Sequence, residues 1–263
     1  MKIHCVTTFS NDGYKQYAHR MLDSWIEHWP SDITLHVYHD IPAPQWHRQF
    51  PKNVKLWAFD NKDLKSFKAR NKNNPKQSGN GTNSDYMYDG IRFSHKVFAF
   101  GDCCEKHIDL KEQIVIFLDA DTITHTSMTA NQLADLVKGY LGACLLRPNM
   151  YTETGFHMID LDHGDAREFL KYFLDEYRRD KIWELPAYTD CHAYDRSRER
   201  IGAHLFNNLS PTEYQHNHPF ANGVCGTWMD HHKGPRKENG MPRFRDLHPE
   251  SPNRHLEYWK TIV

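Results

Sequence analysis

Short apolar runs alternate with amphipathic stretches along most of the chain. Residues 2–8 form an apolar and β-branched run, and turn residues follow it at 9–13. Over residues 14–29, apolar side chains recur at i, i+3, i+4 and i+7, which predicts a helix that Pro30 ends. A second strand over 33–38 completes a βαβ unit. Such units build parallel sheets.

The same alternation predicts the remaining elements. We expect further strands at 54–59, 114–118, 140–146 and 155–161, and helices at 93–106, near 130–138 and after Asp165. Residues 61–84 are polar, basic and poor in hydrophobic side chains, so we predict a long flexible loop there. The pattern shows no linker and no internal repeat. It therefore predicts one α/β domain over residues 1–263.

Composition excludes several classes of protein. With 263 residues, 39% hydrophobic and 25% charged, the chain is globular. Its net charge of −1 gives no overall attraction to nucleic acid or anionic membranes. No apolar run is long enough for a transmembrane helix, and the N-terminus lacks the long apolar region of a signal peptide. Six cysteines without CxxC spacing indicate reduced thiols, so we expect a cytoplasmic protein.

The segment IVIFLDADT at 114–122 carries the clearest chemical signal. A strongly apolar strand delivers Asp119 and Asp121 at its C-terminal end. Side chains two positions apart on an extended backbone point the same way, so both carboxylates can bind one cation. Oxygen ligands suit Mg²⁺ or Mn²⁺. The alternative is that the two aspartates serve only a turn after the strand.

A second motif lies in the segment MDHHKGPRK, where His231, Gly234 and Lys237 have the spacing H-x-x-G-x-x-K. An imidazole is a nitrogen ligand for a metal, and a glycine lets backbone amides approach a phosphate. A lysine supplies a point charge for the same phosphate. The alternative for this motif is a solvated basic loop.

Together the two motifs resemble those of GT-A glycosyltransferases, in particular glycosyltransferase family 8. The resemblance implies a Rossmann-like fold with a mixed, mostly parallel sheet flanked by helices. It implies transfer of a hexosyl or pentosyl group, with retention, from a nucleotide sugar such as a UDP-sugar to an acceptor hydroxyl. The acceptor would be a glycan, a small molecule or modified nucleic acid. The resemblance assigns Mn²⁺ or Mg²⁺ to Asp119, Asp121 and His231, and nucleotide-sugar contacts to Ala120, Gly234 and Lys237.

Three looser matches extend the resemblance along the chain. The segment TETGFHMIDL has Glu153 where the family usually has Asn, and TDCHAYD supplies Asp190. These two carboxylates are the candidate catalytic residues that would orient the sugar, bind acceptor hydroxyls or act as a base. The segment RFSHKVFAF offers Arg92 or Lys96 near the diphosphate. The family's usual Pro-Trp after the motif lysine is absent, so the chain is no close member.

Nucleotide-binding α/β folds place the base and ribose above the end of the first strand. Thr8 and Tyr14 are therefore candidate contacts for the nucleoside. Tyr14 also begins the apolar stripe of the first predicted helix, so a place in the core is its alternative role.

Two other functions compete with sugar transfer. His216 and His218 form H-x-H, and with His231, His232 and Asp119 they offer ligands for a zinc hydrolase. A nucleic-acid-binding module, or a DNA-modifying glycosyltransferase, would use the basic stretch 62–76, where Phe67 is interleaved. Its basic residues are Lys62, Lys65, Lys68, Arg70, Lys72 and Lys76.

Overall fold

The computed structural model describes residues 1–42, 46, 48–77, 85–210, 218–234 and 236–239. Within them the strands are, in chain order, β1 (Lys2–Phe9), β2 (Thr34–His39), β3 (Val54–Ala58), β4 (Gln113–Leu118), β5 (Thr122–Thr124), β6 (Gly142–Leu145), β7 (Glu153–Asp160), β8 (Phe206–Asn208) and β9 (Met229–His231).

The helices of the same residues flank these strands. They are α1 (Asn11–Gly13), α2 (His19–His28), α3 (Lys62–Asn71), α4 (Gly90–His107), α5 (Ala130–Asp135), α6 (Ala166–Arg178), α7 (Asp190–Ile201), α8 (Pro219–Asn222) and α9 (Arg236–Asn239). A π-helical turn, Tyr14–Ala18, joins α1 to α2. Short 3₁₀ turns occupy Asp85–Tyr88, Lys181–Glu184, Ala203–Leu205 and Val224–Thr227.

The large sheet has seven strands in the order β3-β2-β1-β4-β7-β6-β8. Strands β1, β2, β3 and β4 run parallel to one another, and β6 pairs in parallel with β8. Only β7 runs against its neighbours β4 and β6 in this sheet of the described residues. This mixed, mostly parallel sheet, flanked by helices in one domain, confirms the predicted fold class.

Strand β4 is apolar from Ile114 to its end because both of its faces are covered. Ile114, Ile116 and Leu118 pack into the core on one face of the sheet, with Trp25 of α2. Val115 and Phe117 pack on the other face, with residues of α4 and α6. Burial of both faces fixes the strand at the centre of the domain. Its last residue therefore delivers Asp119 to a defined place at the sheet edge.

The prediction of a loop over 61–84 is wrong for residues 62–71, which form α3. The Asn61 side chain caps this helix by accepting hydrogen bonds from the backbone of Asp63 and Leu64. Leu64, Phe67 and Asn71 are its buried residues, and most of the other positions are charged. Two apolar residues are too few to stand out in a basic sequence. Residues 78–84 lie outside the described part of the chain.

Two further observations concern membranes and thiols. In the described residues, no helix combines the length and the apolar character needed to cross a bilayer.

All six cysteines are free, and five of them are buried. Burial raises the pKa of the Cys144 and Cys191 thiols to about 12, so both are protonated at neutral pH.

Candidate functional site

The turn that follows β4 places the two aspartates of the D-x-D motif. The Asp119 backbone N–H donates to the carbonyl of Gly155 on β7, at 2.9 Å, so the chain stays tied to the sheet after β4 ends. The Thr122 N–H then donates to the Asp119 carbonyl, at 3.0 Å. This turn directs the chain away from the large sheet into β5. Asp121 is buried, and Asp119 is partly exposed at the mouth of a cleft.

The short antiparallel sheet of β5 and β9 brings the second motif to the first. Thr122 pairs with His231 in the ladder, so His231 lies beside Asp121. His231 Nε2 is 2.9 Å from Asp121 Oδ1 and 3.4 Å from Asp119 Oδ2. The imidazole is 1% exposed, so its position is fixed by packing. The structure therefore brings together the three residues that the sequence predicts as metal ligands.

These three side chains fit a divalent cation. One ligand atom from each of Asp119, Asp121 and His231 lies within 4.8 Å of the others. An octahedral ion with bonds of about 2.1 Å would place neighbouring ligands about 3 Å apart, close to the observed separations of 2.9 and 3.4 Å. Two carboxylates and one imidazole suit Mn²⁺ or Mg²⁺ better than soft ligands would.

Two lysines already compensate the carboxylate charges. Lys96 Nζ lies 2.8 Å from Asp119 Oδ1, and Lys237 Nζ lies 2.9 Å from Asp121 Oδ2. Burial tends to raise the pKa of Asp121, but His231 and Lys237 outweigh burial and hold that pKa well below its usual range. Burial raises the pKa of Asp119 despite the opposing effect of Lys96. Asp121 is therefore an ionised carboxylate beside His231 and Lys237.

Asp190 begins α7 and joins the same network. Its Oδ2 accepts hydrogen bonds from Lys96 Nζ at 2.8 Å and from Thr154 Oγ1 at 2.6 Å. The residue is 2% exposed, yet it lines the cleft. Burial disfavours the charged form of Lys96, but Asp119 and Asp190 outweigh it and raise the lysine pKa well above its usual value. Lys96 thus links the D-x-D motif to Asp190.

Glu153, at the start of β7, is surrounded by basic side chains. Lys233 Nζ contacts its carboxylate, Arg147 Nη1 lies 3.5 Å from Oε2, and His218 Nε2 lies 3.7 Å from Oε2. Burial would raise the pKa of Glu153, but Lys233 and the other basic side chains around it hold that pKa well below its usual range. Glu153 is therefore an ionised carboxylate at the back of the cleft.

The cleft consists of two adjoining cavities of about 350 and 600 Å³. The first lies at the carboxyl ends of the parallel strands, where open α/β sheets bind ligands. Its lining includes Thr8 of β1, Asp40 after β2 and Phe59 after β3. The second cavity extends past Asp190 and Glu153. Both share a wall formed by Arg92, Phe93, Lys96, Asp119, Asp121 and Lys237.

Most of the predicted nucleotide contacts line this cleft. Its lining includes Thr8, Arg92, Lys96, Ala120, Gly234 and Lys237. Tyr14 does not line either cavity among the described residues. It packs against Phe9 and Trp46, as its alternative role in the core predicts. Tyr17 lines the cleft instead, and Lys237 Nζ lies 4.3 Å from its ring centre.

Sequence reasoning missed Asp40, Phe59, Lys233 and Thr154. The first two directly follow parallel strands, so the rule that ligands bind at carboxyl strand ends could have identified them. Lys233 lies inside the H-x-x-G-x-x-K segment and could have been included with it. Thr154 gave no signal, because its role depends on a contact with Asp190 across two elements.

A separate histidine cluster, formed by His4, His36 and His107, does not offer another zinc site. Trp57 Nε1 donates to His36 Nδ1 at 3.1 Å, so His36 carries its proton on Nε2 and donates to His4 Nδ1 at 3.0 Å. His4 Nε2 then donates to Gln113 Oε1 at 3.0 Å. All four nitrogens of His4 and His36 are engaged, which leaves no lone pair for an ion although His107 lies beside them. His216 lies outside the described residues.

The basic stretch 62–76 is partly used inside the fold. Lys65 pairs with Asp60, and Arg70 Nε donates to Asp180 Oδ2 at 2.9 Å. Lys76 Nζ donates to the Trp183 carbonyl at 2.8 Å. Phe67 is fully buried and cannot stack on a base. These contacts weaken the case for a nucleic-acid-binding surface on this stretch.

Comparison with known proteins agrees with the fold. No protein-family model and no curated protein matches the sequence. Among the solved structures, the apo form of mouse xyloside xylosyltransferase 1 matches with a TM-score of 0.52 and 12% identity, over 80% of this chain and 86% of that one. At this identity the likeness concerns the fold alone. The chain has the GT-A-like fold of that enzyme.

Proposed function

We propose that the protein is a metal-dependent glycosyltransferase that moves a sugar from a UDP-sugar to an acceptor hydroxyl. One observation carries the proposal. The Asp119, Asp121 and His231 ligand atoms converge within 4.8 Å beside a cleft at the carboxyl ends of parallel strands. The convergence depends on two distant motifs meeting through the β5–β9 ladder. Turn chemistry alone gives no reason for that meeting.

In this proposal, each cavity would hold a different part of the substrates. The nucleoside would occupy the cavity lined by Thr8, Tyr17 and Asp40, where polar groups and aromatic faces are both present. The diphosphate would lie at the shared wall. Arg92, Lys96 and Lys237 provide positive charge there. Gly234 lines the adjoining larger cavity, where its backbone carries no side chain. The sugar and the acceptor would lie in the larger cavity beside Asp190.

Sugar transfer breaks the bond between the anomeric carbon and the diphosphate oxygen, and forms one between that carbon and the acceptor oxygen. The nucleoside diphosphate leaves with the bonding electron pair, and the proton of the acceptor hydroxyl passes to the released diphosphate oxygen. A bound Mn²⁺ or Mg²⁺ would stabilise the negative charge of the leaving group. Lys237 and Arg92 would add to that stabilisation because they lie at the same wall.

Asp190 is the best-placed carboxylate for contact with the sugar or the acceptor. Lys96 and Thr154 both bind its Oδ2, which fixes the side chain and leaves Oδ1 toward the neighbouring thiol, 3.9 Å from Cys191 Sγ. A fixed, charged acceptor is suited to hold a hydroxyl group. We propose retention of anomeric configuration, as the family resemblance implies.

The proposal is tested by release of UDP from UDP-sugars. The purified full chain is incubated with UDP-glucose, UDP-galactose or UDP-xylose, with Mn²⁺ or with EDTA. Xylose is included because the matching solved structure is named a xylosyltransferase. We expect UDP release from one donor, only with the ion, and acceleration by a suitable acceptor glycoside. Release of phosphate from simple phosphoesters with Zn²⁺, and none from UDP-sugars, would favour the hydrolase instead.

A further inference from the structure

We propose that Glu153 is a positioning residue for His231. With a metal bound, its carboxylate would accept a hydrogen bond from the imidazole Nδ1–H and so direct the Nε2 lone pair toward the ion. This inference rests on the proposed function, because it concerns the same metal site. It assigns Glu153 a task different from the sugar contact that the sequence predicts.

The two nitrogens of His231 face different carboxylates. Nε2 faces Asp121 and Asp119, whereas Nδ1 lies 3.7 Å from Glu153 Oε1. A neutral imidazole carries one proton, so a ring that binds a metal through Nε2 carries its proton on Nδ1. Nδ1 is buried and has no hydrogen-bond partner among the described residues. A short approach by Glu153 would give this N–H its acceptor.

Gly155 provides the space that the imidazole needs beside Glu153. A Cβ atom at position 155 would lie 2.5 Å from His231 Cε1 and 2.6 Å from Nδ1, which is too close for any real contact. The Gly155 N–H also donates to Glu153 Oε1 at 3.1 Å. Strand β7 thus supplies both the gap for the ring and the carboxylate that faces it.

Glu153 has little capacity left for a substrate. Lys233 contacts its Oε2, and Arg147 Nη1 lies 3.5 Å from the same oxygen. Its Oε1 accepts from Gly155 and faces His231. A carboxylate held this firmly is suited to orient a neighbouring ring. Partners of metal-binding histidines commonly have this arrangement, and their loss typically weakens metal binding about 10–100-fold.

Glu153, His218 and His231 also form a group whose ligand atoms lie within 4.8 Å. A second ion there would meet the positive charges of Lys233 and Arg147 beside a single carboxylate. The Asp119–Asp121 pair offers two carboxylates to one ion and is the more favourable place. The test must therefore distinguish metal binding by Glu153 itself from orientation of His231 by Glu153.

The test compares Mn²⁺ binding by the wild type, Glu153→Gln, Gly155→Ala and a control, measured from the electron paramagnetic resonance signal of free Mn²⁺. The control is Glu176→Gln, which removes another buried carboxylate that pairs with Arg196 outside the cleft. We expect one ion per chain and affinity about 10–100-fold weaker in the first two variants. Glu176→Gln should bind like the wild type. At saturating Mn²⁺, Glu153→Gln should keep the wild-type KM for the UDP-sugar.

Two outcomes would overturn the positioning role while the proposed function stands. In one, Glu153→Gln binds Mn²⁺ normally and loses kcat at saturating metal, which would indicate contact with the sugar. In the other, the wild type binds two ions and His218→Ala loses one, which would make Glu153 a ligand. A wild type that binds no Mn²⁺ and releases no UDP would contradict both proposals. Gly155→Ala keeps the test valid where Glu153→Gln fails to fold.

Discussion

His231 Nε2 lies 2.9 Å from Asp121 Oδ1, although 110 positions separate the two residues in the sequence. The contact is made possible by two three-residue strands, β5 and β9, that lie outside the large sheet. Trp29 Nε1 donates to Thr124 Oγ1 at 2.9 Å and ties this small sheet to the end of α2. The candidate metal site therefore depends on local pairing at the rim of the domain.

Asp121→Asn should abolish metal-dependent release of UDP and leave the fold intact. Amide substitution removes the carboxylate that faces both His231 and Lys237. We expect a loss of more than about 100-fold, because changes behind the ligands alone cost about 10–100-fold. Activity is measured with Mn²⁺, and folding by circular dichroism. The control is Asp175→Asn, which changes a carboxylate of α6 that pairs with Arg179. This variant should retain activity. Equal turnover by Asp121→Asn and the wild type would contradict the assignment.

Lys237→Ala should weaken binding of UDP in the presence of Mn²⁺. The ammonium group lies at the wall shared by both cavities, where the diphosphate is proposed to bind. A hydrogen bond to a charged group contributes about 1.5–3 kcal/mol, so we expect at least about a tenfold rise in Kd. Isothermal titration calorimetry measures the change. Lys138→Ala, at an exposed position, provides the control, and an unchanged Kd for Lys237→Ala would argue against the diphosphate contact.

Sequence patterns predicted the centre of the domain well, because strong burial leaves strong periodicity. Strand β4 is apolar on both faces from Ile114 onward, and its neighbours β1 and β7 are mostly buried although each includes polar residues. The D-x-D and H-x-x-G-x-x-K motifs were found for a related reason. Each combines several chemically distinctive side chains within a few residues, so each is visible without knowledge of the fold.

The sequence patterns did not predict features that depend on a helix face with few apolar residues or on contacts between elements. Helix α3 buries mainly Leu64 and Phe67, so its basic surface concealed it. The π-helical turn Tyr14–Ala18 changes the register of the first helix, which a regular 3.6-residue pattern does not anticipate. Tyr17 therefore faces the cleft, and Tyr14 packs beside Phe9.

Asp230→Asn should destabilise the protein and loosen the segment that carries Gly234. Asp230 and Arg236 form a buried ion pair, and Arg236 Nη1 also donates to the His231 carbonyl at 2.9 Å. Loss of one charge from such a pair costs about 3–5 kcal/mol of unfolding free energy. Urea denaturation measures the loss. Asp109→Asn breaks an exposed pair with Arg167 and should cost at most about 1 kcal/mol. Equal costs would contradict the structural role of the buried pair.

Stability should fall as the pH is lowered from about 7 to 4. The pKa of His4 is lowered from the usual 6.5 to about 4, and that of His36 to about 3. Burial is the main cause of both shifts. Below pH 6.5 the unfolded chain binds protons that the folded chain excludes. The contribution of these histidines to stability is therefore fully present above pH 6.5, and it is lost as the pH falls toward their pKa values in the folded protein. Each group contributes at most about 1.4 kcal/mol per pH unit.

The role of these two histidines is checked by urea denaturation at several pH values. His36→Gln keeps an acceptor for Trp57 and a donor for His4, but it does not titrate. Its stability should therefore change less steeply with pH than that of the wild type. His204→Gln changes an exposed histidine and should show the wild-type slope. An unchanged slope in His36→Gln would show that other groups cause the acid sensitivity.

Thermal stability in the presence of nucleotides tests the central proposal most directly. The melting temperature of the full chain is measured with UDP, GDP, ADP or CDP, each with Mn²⁺ and with EDTA. A ligand that binds the folded state raises the melting temperature by mass action. The proposed site predicts a rise with UDP that requires Mn²⁺. The absence of any shift, or an equal shift in EDTA, would contradict a metal-dependent nucleotide-sugar site.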